Sequence, residues 1–441
     1  MPHKRTDKQF QTGFRALATF NFITQQQDCN MKSLLLNIIS TFTSLRSVIF
    51  IALFLLIGNY HQAVEKQPDG RPIAEELSWY FTPKVEFNPG YKAYIERSLD
   101  SLLRRRGFNG SLLLAHQGEA VYNKSIGHAR FNDRTEFASE NNIFQLASAG
   151  KQFTAFSILM LQERGLVELD DTVATYISEF PYPDITVRHL LNHTSGLQNY
   201  FYIIDNYWKK GHLPVHQDML DMINAHSLPL NFAPGRRFSY SNTGYAFLAM
   251  LVEKISGESF ADFVQNNIFT PLRMENSFVY HPGLDLEELG TSASLARGHE
   301  RAGRRLREIP VDFNDGITGD KGIFSTTEDL LKWDNALEKN LLISQQTKES
   351  AFENGRLRSG YRINYGFGFR IRNNREQDII YHNGWWKGFR TSYVRLPENT
   401  LVVILNNTTA SISGLENQIM RIFNNSPYPL FKEKEGILAM Q

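Results

Sequence analysis

Ser148 and Lys151 are the first residues in this sequence whose types and spacing suggest chemistry. The apolar segment 151–164 ends at Gly165 and predicts a helix whose cap or first turn contains Ser148. Residues at i and i+3 share a helical face, so this spacing places a hydroxyl beside an amine. The helix dipole and the free N–H groups of the first turn could hold an anion next to them. The two residues are therefore a candidate nucleophile and a candidate base.

An ordinary structural role also fits these two residues. Serine is a common helix cap and lysine is a common surface residue. A chain of this length contains Ser-x-x-Lys roughly once or twice by chance. The spacing alone therefore does not identify an enzyme, and two further clusters decide between the roles.

Tyr240 and Asn242 form the second cluster, at the junction between a loop and an apolar helix predicted over 243–255. His382 and Gly384 form the third, at the end of a predicted strand. There, histidine can donate a hydrogen bond, and glycine lets a ligand approach the backbone. Each cluster also has an ordinary interpretation: a surface tyrosine beside a capping asparagine, and a strand-end histidine beside a turn glycine.

Hydrophobic periodicity predicts the elements that must position these clusters. Residues 91–106 have helical spacing, and the apolar runs 111–116 and 120–126 predict a hairpin. The region from 168 to about 318 is mostly helical. Four short strands and a helix follow, at 365–371, 378–382, 389–396, 401–406 and 411–423. The pattern predicts an α+β protein in which the hairpin and the late strands share one antiparallel sheet beside a helical region.

Composition narrows the possible functions. The 441 residues carry a net charge of +1, which does not indicate a nucleic-acid partner. The single cysteine, Cys29, excludes an intramolecular disulfide and a cysteine-based zinc site. The 12 histidines are scattered and none forms a metal-binding pair with an acidic partner, so we expect neither a metal nor a cofactor. The expected partner is a small-molecule or peptide substrate.

The N-terminal segment differs from the rest of the chain. Residues 48–57 form an uncharged apolar run of signal-peptide length, shorter than the roughly 20 residues that span a bilayer. Met31 would be a natural start for such a signal, but no small-residue cleavage site is evident between Gly58 and Ala63. We therefore expect a cleaved signal or an uncleaved membrane anchor, and a catalytic domain that is periplasmic or held at the membrane outside the cytoplasm.

The order of the three clusters resembles the serine β-lactamase and penicillin-binding protein superfamily. Ser-x-x-Lys is followed by Tyr-x-Asn and His-x-Gly, a version more similar to the class C branch, with its DD-carboxypeptidases, D-aminopeptidases and related esterases. The resemblance runs from about 91 to 425 and includes further stretches at 190–197, 234–242, 270–274 and 319–327. It implies an α/β sandwich in which N- and C-terminal helices flank the antiparallel sheet, with an inserted all-helical lobe.

The resemblance also implies domain limits. A β-lactamase-like hydrolase domain would span 89–425, with its helical lobe at about 165–318. Residues 1–75 would be an extension that carries the signal or anchor, and 426–441 would be a C-terminal tail.

By this resemblance, Ser148 attacks the substrate carbonyl and becomes acylated, for which its hydroxyl needs a base. Lys151 could accept the proton if burial and the helix dipole keep it neutral. Tyr240 could do so if nearby charges lower the pKa of its phenol. The resemblance further implies that Asn242 binds the substrate amide and steadies Lys151. It also implies that the backbone N–H groups of Ser148 and Trp385 form the oxyanion hole.

His382 departs from the lactamase pattern, which has a lysine at this position. Histidine is only optionally charged near neutral pH, so recognition of a substrate carboxylate beside Gly384 is less assured. The departure favours an esterase or peptidase over an efficient β-lactamase.

The aromatic residues near the motifs have two interpretations. Trp385 and Trp386 could border the site, or strand alternation could send one of them into the core. A cluster within 198–232 could form a wall over the site or pack in the core; its members are Tyr200, Phe201, Tyr202, Tyr207 and Trp208.

Two classes of function fit the sequence. One is an active serine hydrolase that cleaves a carboxylester, a D-amino-acid peptide or a β-lactam-like substrate through an acyl-enzyme. The other is a catalytically silent exported relative that binds a cell-wall peptide or a protein partner. The presence of Ser148, Lys151 and Tyr240 together favours the hydrolase.

Overall fold

A computed structural model describes residues 85–432, except 138–141, 210, 287–294 and 374–376. These residues belong to one unit, Leu77–Gln441. The apolar run at 48–57 lies outside the described residues, so the signal or anchor stays a prediction. Within the described part, no helix is long and apolar enough to cross a membrane.

One six-stranded antiparallel sheet joins the early hairpin to the late strands, in the order β2-β1-β11-β10-β9-β8. Its strands are β1 (Gly110–His116), β2 (Glu119–Ile126), β8 (Arg370–Arg372), β9 (Ile379–Trp386), β10 (Phe389–Leu396) and β11 (Thr400–Asn406). The shared sheet confirms the predicted α+β class, because sequence-distant strands pair as the pattern required.

Alternating residues of β1 contribute to two hydrophobic cores, one on each face of the sheet. Leu112 packs with helix α1 (Pro89–Arg105) and helix α10 (Leu415–Asn424), which cover one face. Leu113 belongs to the larger core on the other side. Both faces of β1 are therefore covered, and every residue of the strand is buried.

The larger core contains two helices that are buried on almost every side. Helix α2 (Lys151–Glu163) is buried without interruption from Lys151 to Leu161, and helix α6 (Asn242–Ser256) packs against it. This all-round burial explains their apolar composition, since a surface helix would carry a polar face. Other helices are α3 (Val187–Leu191), α4 (Tyr200–Tyr207), α5 (His216–Ala225), α7 (Phe260–Val264), α8 (Thr327–Glu338) and α9 (Gln345–Ala351).

Two small β structures are not predicted by the sequence. A three-stranded sheet contains β3 (Phe144–Gln145), β4 (Phe278–Val279) and β7 (Ile323–Ser325), and a hairpin contains β5 (His299–Ala302) and β6 (Arg305–Glu308). Strands of this length are too short to show periodicity. The small sheet matters for the site, because β3 pairs with β7 and so joins the segment before Ser148 to the segment after Asp320.

The free edge of β9 faces the residues that precede α2. Strand β10 pairs along one edge of β9, but β8 pairs only with positions 379–381 on the other edge, so in the described part of the chain no strand lies on that side of positions 382–386. The 3-10 turn Ala147–Gly150 lies there instead. A Cβ at Gly384 would lie 2.1 Å from the Leu146 carbonyl oxygen, so only glycine permits this close approach.

Candidate active site

Ser148 lies in the 3-10 turn that leads directly into α2. No side chain caps this helix start, so the ordinary capping role does not apply. Ala147, Ala149 and Gly150 are buried, whereas Ser148 stays partly exposed. Ala147 has a φ of +49°, a left-handed conformation that is unfavourable for a residue with a Cβ. This strained turn presents the Ser148 hydroxyl to the surface.

Lys151 is completely buried, and its amine is surrounded by three oxygen atoms. The Nζ atom lies 2.7 Å from the Asp320 carbonyl oxygen, 2.9 Å from Asn242 Oδ1 and 3.2 Å from Ser148 Oγ. The structure therefore brings three of the predicted site residues into contact, and it adds Asp320.

The pKa of Lys151 is lowered to about 7. Burial is the main cause, because an ammonium group that leaves water loses its hydration. The Asp320 carboxylate raises this pKa, and the Arg370 guanidinium lowers it. Near neutral pH, a substantial share of the molecules therefore holds Lys151 as a neutral amine, which can act as a base.

Tyr240 lies against Lys151, with its ring centroid 5.0 Å from Nζ. Its hydroxyl is buried and has no hydrogen-bond partner of good geometry among the described residues. Burial raises the pKa of the phenol above its ordinary value, and the nearby Ser148 hydroxyl and Arg370 guanidinium offset this only in part. The nearby Arg370 charge thus acts in the expected direction, but burial outweighs it and the pKa is raised overall. Of the two candidate bases, Lys151 has the pKa that suits proton removal near neutral pH.

Asn242 is free to contact Lys151 because Ser241 caps helix α6. The Ser241 hydroxyl accepts a hydrogen bond from the Gly244 N–H at 3.1 Å. Asn242 is the first residue of the helix, and its side-chain oxygen accepts from the lysine instead. The interpretation of Asn242 as an ordinary helix cap is therefore wrong.

His382 lies below the surface of the site and is only 1% exposed. Its Nε2 lies 3.1 Å from the Tyr365 hydroxyl, and its Nδ1 lies 2.8 Å from the Asn383 carbonyl oxygen. Burial, followed by the charges of Lys151 and Arg370, lowers the imidazole pKa well below its ordinary value. A neutral His382 supplies no positive charge. Its ring is buried and both of its nitrogens already have partners, so the structure does not present it to a substrate as predicted.

Alternation along β9 separates the two tryptophans. Trp385 points outward and is 66% exposed, at the border of the site. Trp386 points inward and stacks on Phe201 with ring centroids 5.0 Å apart. Tyr200 and Trp208, from the same predicted aromatic cluster, are buried in the larger core. Tyr200 and Trp208 therefore follow the core-packing interpretation, Phe201 and Tyr207 pack partly buried against the same core, and Tyr202 is exposed.

Ser148, Tyr240 and Asn242 line one end of a groove of about 720 Å³, and strands β8 to β10 contribute much of the rest. The three motifs do not indicate the arginines in this groove, which are Arg370, Arg372 and Arg390. The alternating Arg-x-Arg of β8 is a sequence signal that could have indicated two of them.

Arg370 brings a positive charge to the end of the groove that contains Ser148. Its guanidinium carbon lies 5.1 Å from the Tyr240 ring centroid. No carboxylate in the described part of the chain pairs with it. Because His382 is neutral, Arg370 is a cation that can bind an anionic group of the substrate here.

Asp320 provides a test of the role of Lys151. Its buried carboxylate accepts a hydrogen bond from the Tyr200 hydroxyl at 3.1 Å, and its negative charge raises the pKa of Lys151. Asp320→Asn keeps the shape of the side chain and removes that charge. We therefore expect a lower pKa for Lys151. If Lys151 is the base, kcat/KM of the parent protein should rise with pH around the Lys151 pKa of about 7, and this rise should move to lower pH in Asp320→Asn.

The measurement is the pH profile of nitrophenyl-ester hydrolysis across the neutral range. Tyr200→Phe is the matched control, because it removes one hydrogen bond to Asp320 and leaves the carboxylate charge in place. A profile that stays in place or moves to higher pH in Asp320→Asn would contradict this account of Lys151.

The fold and the site define a class of protein, and comparison with known proteins agrees. Residues 95–421 match the Beta-lactamase family, to which this chain belongs. Penicillin-binding protein 4* of Bacillus subtilis strain 168 is 34% identical over 362 residues, which cover 78% of this chain and 80% of that protein. The resemblance inferred from the three motifs is thus confirmed.

Two further relatives place the chain within a superfamily of serine hydrolases. A D-aminopeptidase of Gluconobacter oxydans is 24% identical over 77% of this chain and 63% of its own length. The crystal structure of a penicillin-binding protein from Bacillus halodurans has a TM-score of 0.62 at 25% identity, over 74% of this chain and 98% of that chain.

Proposed function

We propose that this protein is a serine hydrolase that cleaves an ester or amide bond through an acyl-enzyme at Ser148. The observation that carries the proposal is the 3.2 Å separation between Lys151 Nζ and the partly exposed Ser148 Oγ. A serine hydroxyl is a poor nucleophile until a base removes its proton. A lysine with a pKa of about 7 can be that base near neutral pH.

The proposed reaction follows from this geometry. As Ser148 Oγ bonds to the substrate carbonyl carbon, its proton passes to Lys151 and the carbonyl oxygen becomes an oxyanion. The N–H groups of Ser148 and Trp385, assigned by resemblance, would stabilise that oxyanion. When the intermediate collapses, the leaving amine or alcohol takes the proton from Lys151, directly or through Tyr240. Water then attacks the acyl-enzyme and gives a proton to Lys151; the bond between the acyl carbon and Ser148 Oγ breaks, the acid product leaves, and Ser148 Oγ takes the proton back from Lys151.

Arg370 supports a substrate whose leaving group carries a carboxylate. Lys151 returns the proton to the leaving group, and Tyr240 lies beside Lys151. Because Arg370 lies over the Tyr240 ring, its guanidinium is on the side of the site where the leaving group departs. An unpaired guanidinium binds a carboxylate through two parallel hydrogen bonds. We therefore favour a small peptide with a free C-terminal carboxylate, and the D-aminopeptidase relative supports one that contains D-amino acids.

Two further parts of the proposal have narrower support. An efficient β-lactamase is less favoured, because a neutral His382 stands where lactamases have a lysine. Action outside the cytoplasm rests on the apolar run at 48–57 alone.

A fluorophosphonate probe tests the nucleophile directly. We expect a single covalent adduct on the parent protein, measured by intact-protein mass spectrometry, and no adduct on Ser148→Ala, which lacks the attacking oxygen. Ser413→Ala is the matched control, because it removes another hydroxyl of the same groove and should keep the adduct. A folded parent protein that forms no adduct would instead favour the catalytically silent relative.

A further inference from the structure

The groove beside Ser148 extends along one face of β8, β9 and β10. Antiparallel partners point to the same face of a sheet, so the register sets Arg370 beside Tyr381 and Arg390 beside Trp385. All four side chains line the groove. The buried core under α1 and α10 takes its strand residues from β1, β2 and β11, which leaves this part of the face open.

The open face carries an excess of positive charge. Arg372 is paired with Glu416 at 3.2 Å. Arg370 and Arg390 have no acidic partner in the described part of the chain. A partly buried charge without a partner is unfavourable, so partly buried arginines usually pair with a carboxylate. Two guanidinium groups are therefore available to an anionic ligand.

Arg390 is held against the exposed Trp385. Its guanidinium carbon lies 5.1 Å from the Trp385 ring centroid, and its Nε is buried without a hydrogen-bond partner among the described residues. Stacking on an aromatic ring orients the guanidinium plane and leaves N–H groups on its edge for a carboxylate. An indole this exposed offers an apolar surface for the stem of the same ligand side chain.

The spacing of Arg370 and Arg390 indicates an extended ligand. They pair with positions 381 and 385 of β9, and four residues along a strand span about 13 Å. They also lie on opposite sides of β9, on strands about 10 Å apart, so their Cα atoms are roughly 16 Å apart. Each guanidinium lies over a separate ring, so one carboxylate is not expected to reach both. The ligand must then carry two acidic groups.

We propose that Arg390 and Trp385 form a second anion subsite, which selects peptides with an acidic side chain in addition to the C-terminal carboxylate bound by Arg370. The inference rests on the proposed function for the place of that first carboxylate. An extended peptide advances about 3.3 Å per residue, so the acidic residue falls within about five residues of the C-terminus.

The test compares peptides of equal length that differ only by Glu or Gln at one position, scanned over those residues. We expect the parent protein to prefer Glu at one position by about tenfold in kcat/KM, through a lower KM. In Arg390→Gln, we expect nearly equal kcat/KM values for the Glu peptide and the Gln peptide. In Arg390→Lys, part of the preference for the Glu peptide should remain. Arg372→Gln is the matched control and should keep the ratio, because Glu416 already neutralises Arg372.

A binding measurement makes the test independent of turnover. Fluorescently labelled peptides are titrated into Ser148→Ala, with and without Arg390→Gln, after circular dichroism has shown that each variant is folded. If the Glu peptide binds more tightly than the Gln peptide and Arg390→Gln abolishes this difference, the subsite is supported. This holds even if the parent protein cleaves no peptide, a result that would contradict only the proposed hydrolase. Equal rates and affinities at every position, or a preference that survives Arg390→Gln, overturn the subsite. A fluorophosphonate adduct on Ser148 would then leave the hydrolase standing.

Discussion

Lys151→Met is expected to lower kcat/KM about a thousandfold while the protein still folds. Methionine nearly keeps the length of the side chain but cannot accept a proton, so Ser148 loses its base. The substitution leaves the Asp320 carbonyl oxygen and Asn242 Oδ1 without their donor, at a cost of about 1–3 kcal/mol each. Burying a thioether in place of a desolvated amine offsets part of that cost.

The measurement is the rate of acylation in single turnovers with a nitrophenyl ester, beside thermal unfolding of each variant. Tyr240→Phe is the comparison that separates the two candidate bases. The raised pKa of the phenol makes it a poor first base, so we expect a smaller loss, about ten- to a hundredfold. An equal or larger loss for Tyr240→Phe would assign proton removal to the tyrosine, and near-normal acylation in Lys151→Met would refute the mechanism.

Gly384→Ala is expected to lower kcat/KM about a hundredfold or more without touching any functional side chain. The added Cβ would lie 2.1 Å from the Leu146 carbonyl oxygen and 3.1 Å from the Ala147 Cβ. Backbone atoms cannot yield as a flexible side chain can, so β9 and the turn that carries Ser148 must move apart. A displacement of about 1 Å at a reacting centre can cost about a hundredfold in rate.

Gly211→Ala is the matched control, because a Cβ there meets no atom within 4 Å. Ester hydrolysis and the thermal midpoint are measured for both variants. We expect Gly384→Ala to unfold at a lower temperature, since overpacking costs about 1–3 kcal/mol. Parent-like activity in Gly384→Ala would show that the nucleophile does not depend on the close contact between β9 and Leu146.

The reactive cluster could be predicted because its residues lie at the ends of elements with strong periodicity. The apolar segment after Lys151 is buried as a helix, and the apolar segment after Asn242 is another. Residue type and spacing at the first helix start placed a hydroxyl beside an amine, whereas the contact between the Asn242 carboxamide and Lys151 was implied only by the family resemblance. Alternation at Trp385 and Trp386 was only one of two open interpretations, because the predicted strand ended at His382.

Other parts of the site depend on features that a single sequence does not specify. Asp320 contacts Lys151 through its carbonyl oxygen, a group that every residue type has. Arg370 and Arg390 share a groove because of the register of three strands, which pairing alone determines. The inward orientation of His382 was not predicted because the predicted strand ended at that residue. In the structure, β9 continues to Trp386 through Gly384, a residue type that is unfavourable in strands.

The three oxygen atoms around Lys151 determine the direction in which a proton can travel. The Asp320 carbonyl and Asn242 Oδ1 only accept hydrogen bonds. A neutral amine has two N–H groups and one lone pair, so both hydrogens go to these acceptors and the lone pair must face Ser148 Oγ. When Lys151 is protonated, its amine donates a hydrogen bond to Ser148 Oγ, and when it is neutral it accepts one from the serine hydroxyl. The change needs no side-chain movement. The proton that Lys151 takes from the serine therefore points back toward Ser148 Oγ, and from there it can pass to the departing group of the substrate, directly or through Tyr240.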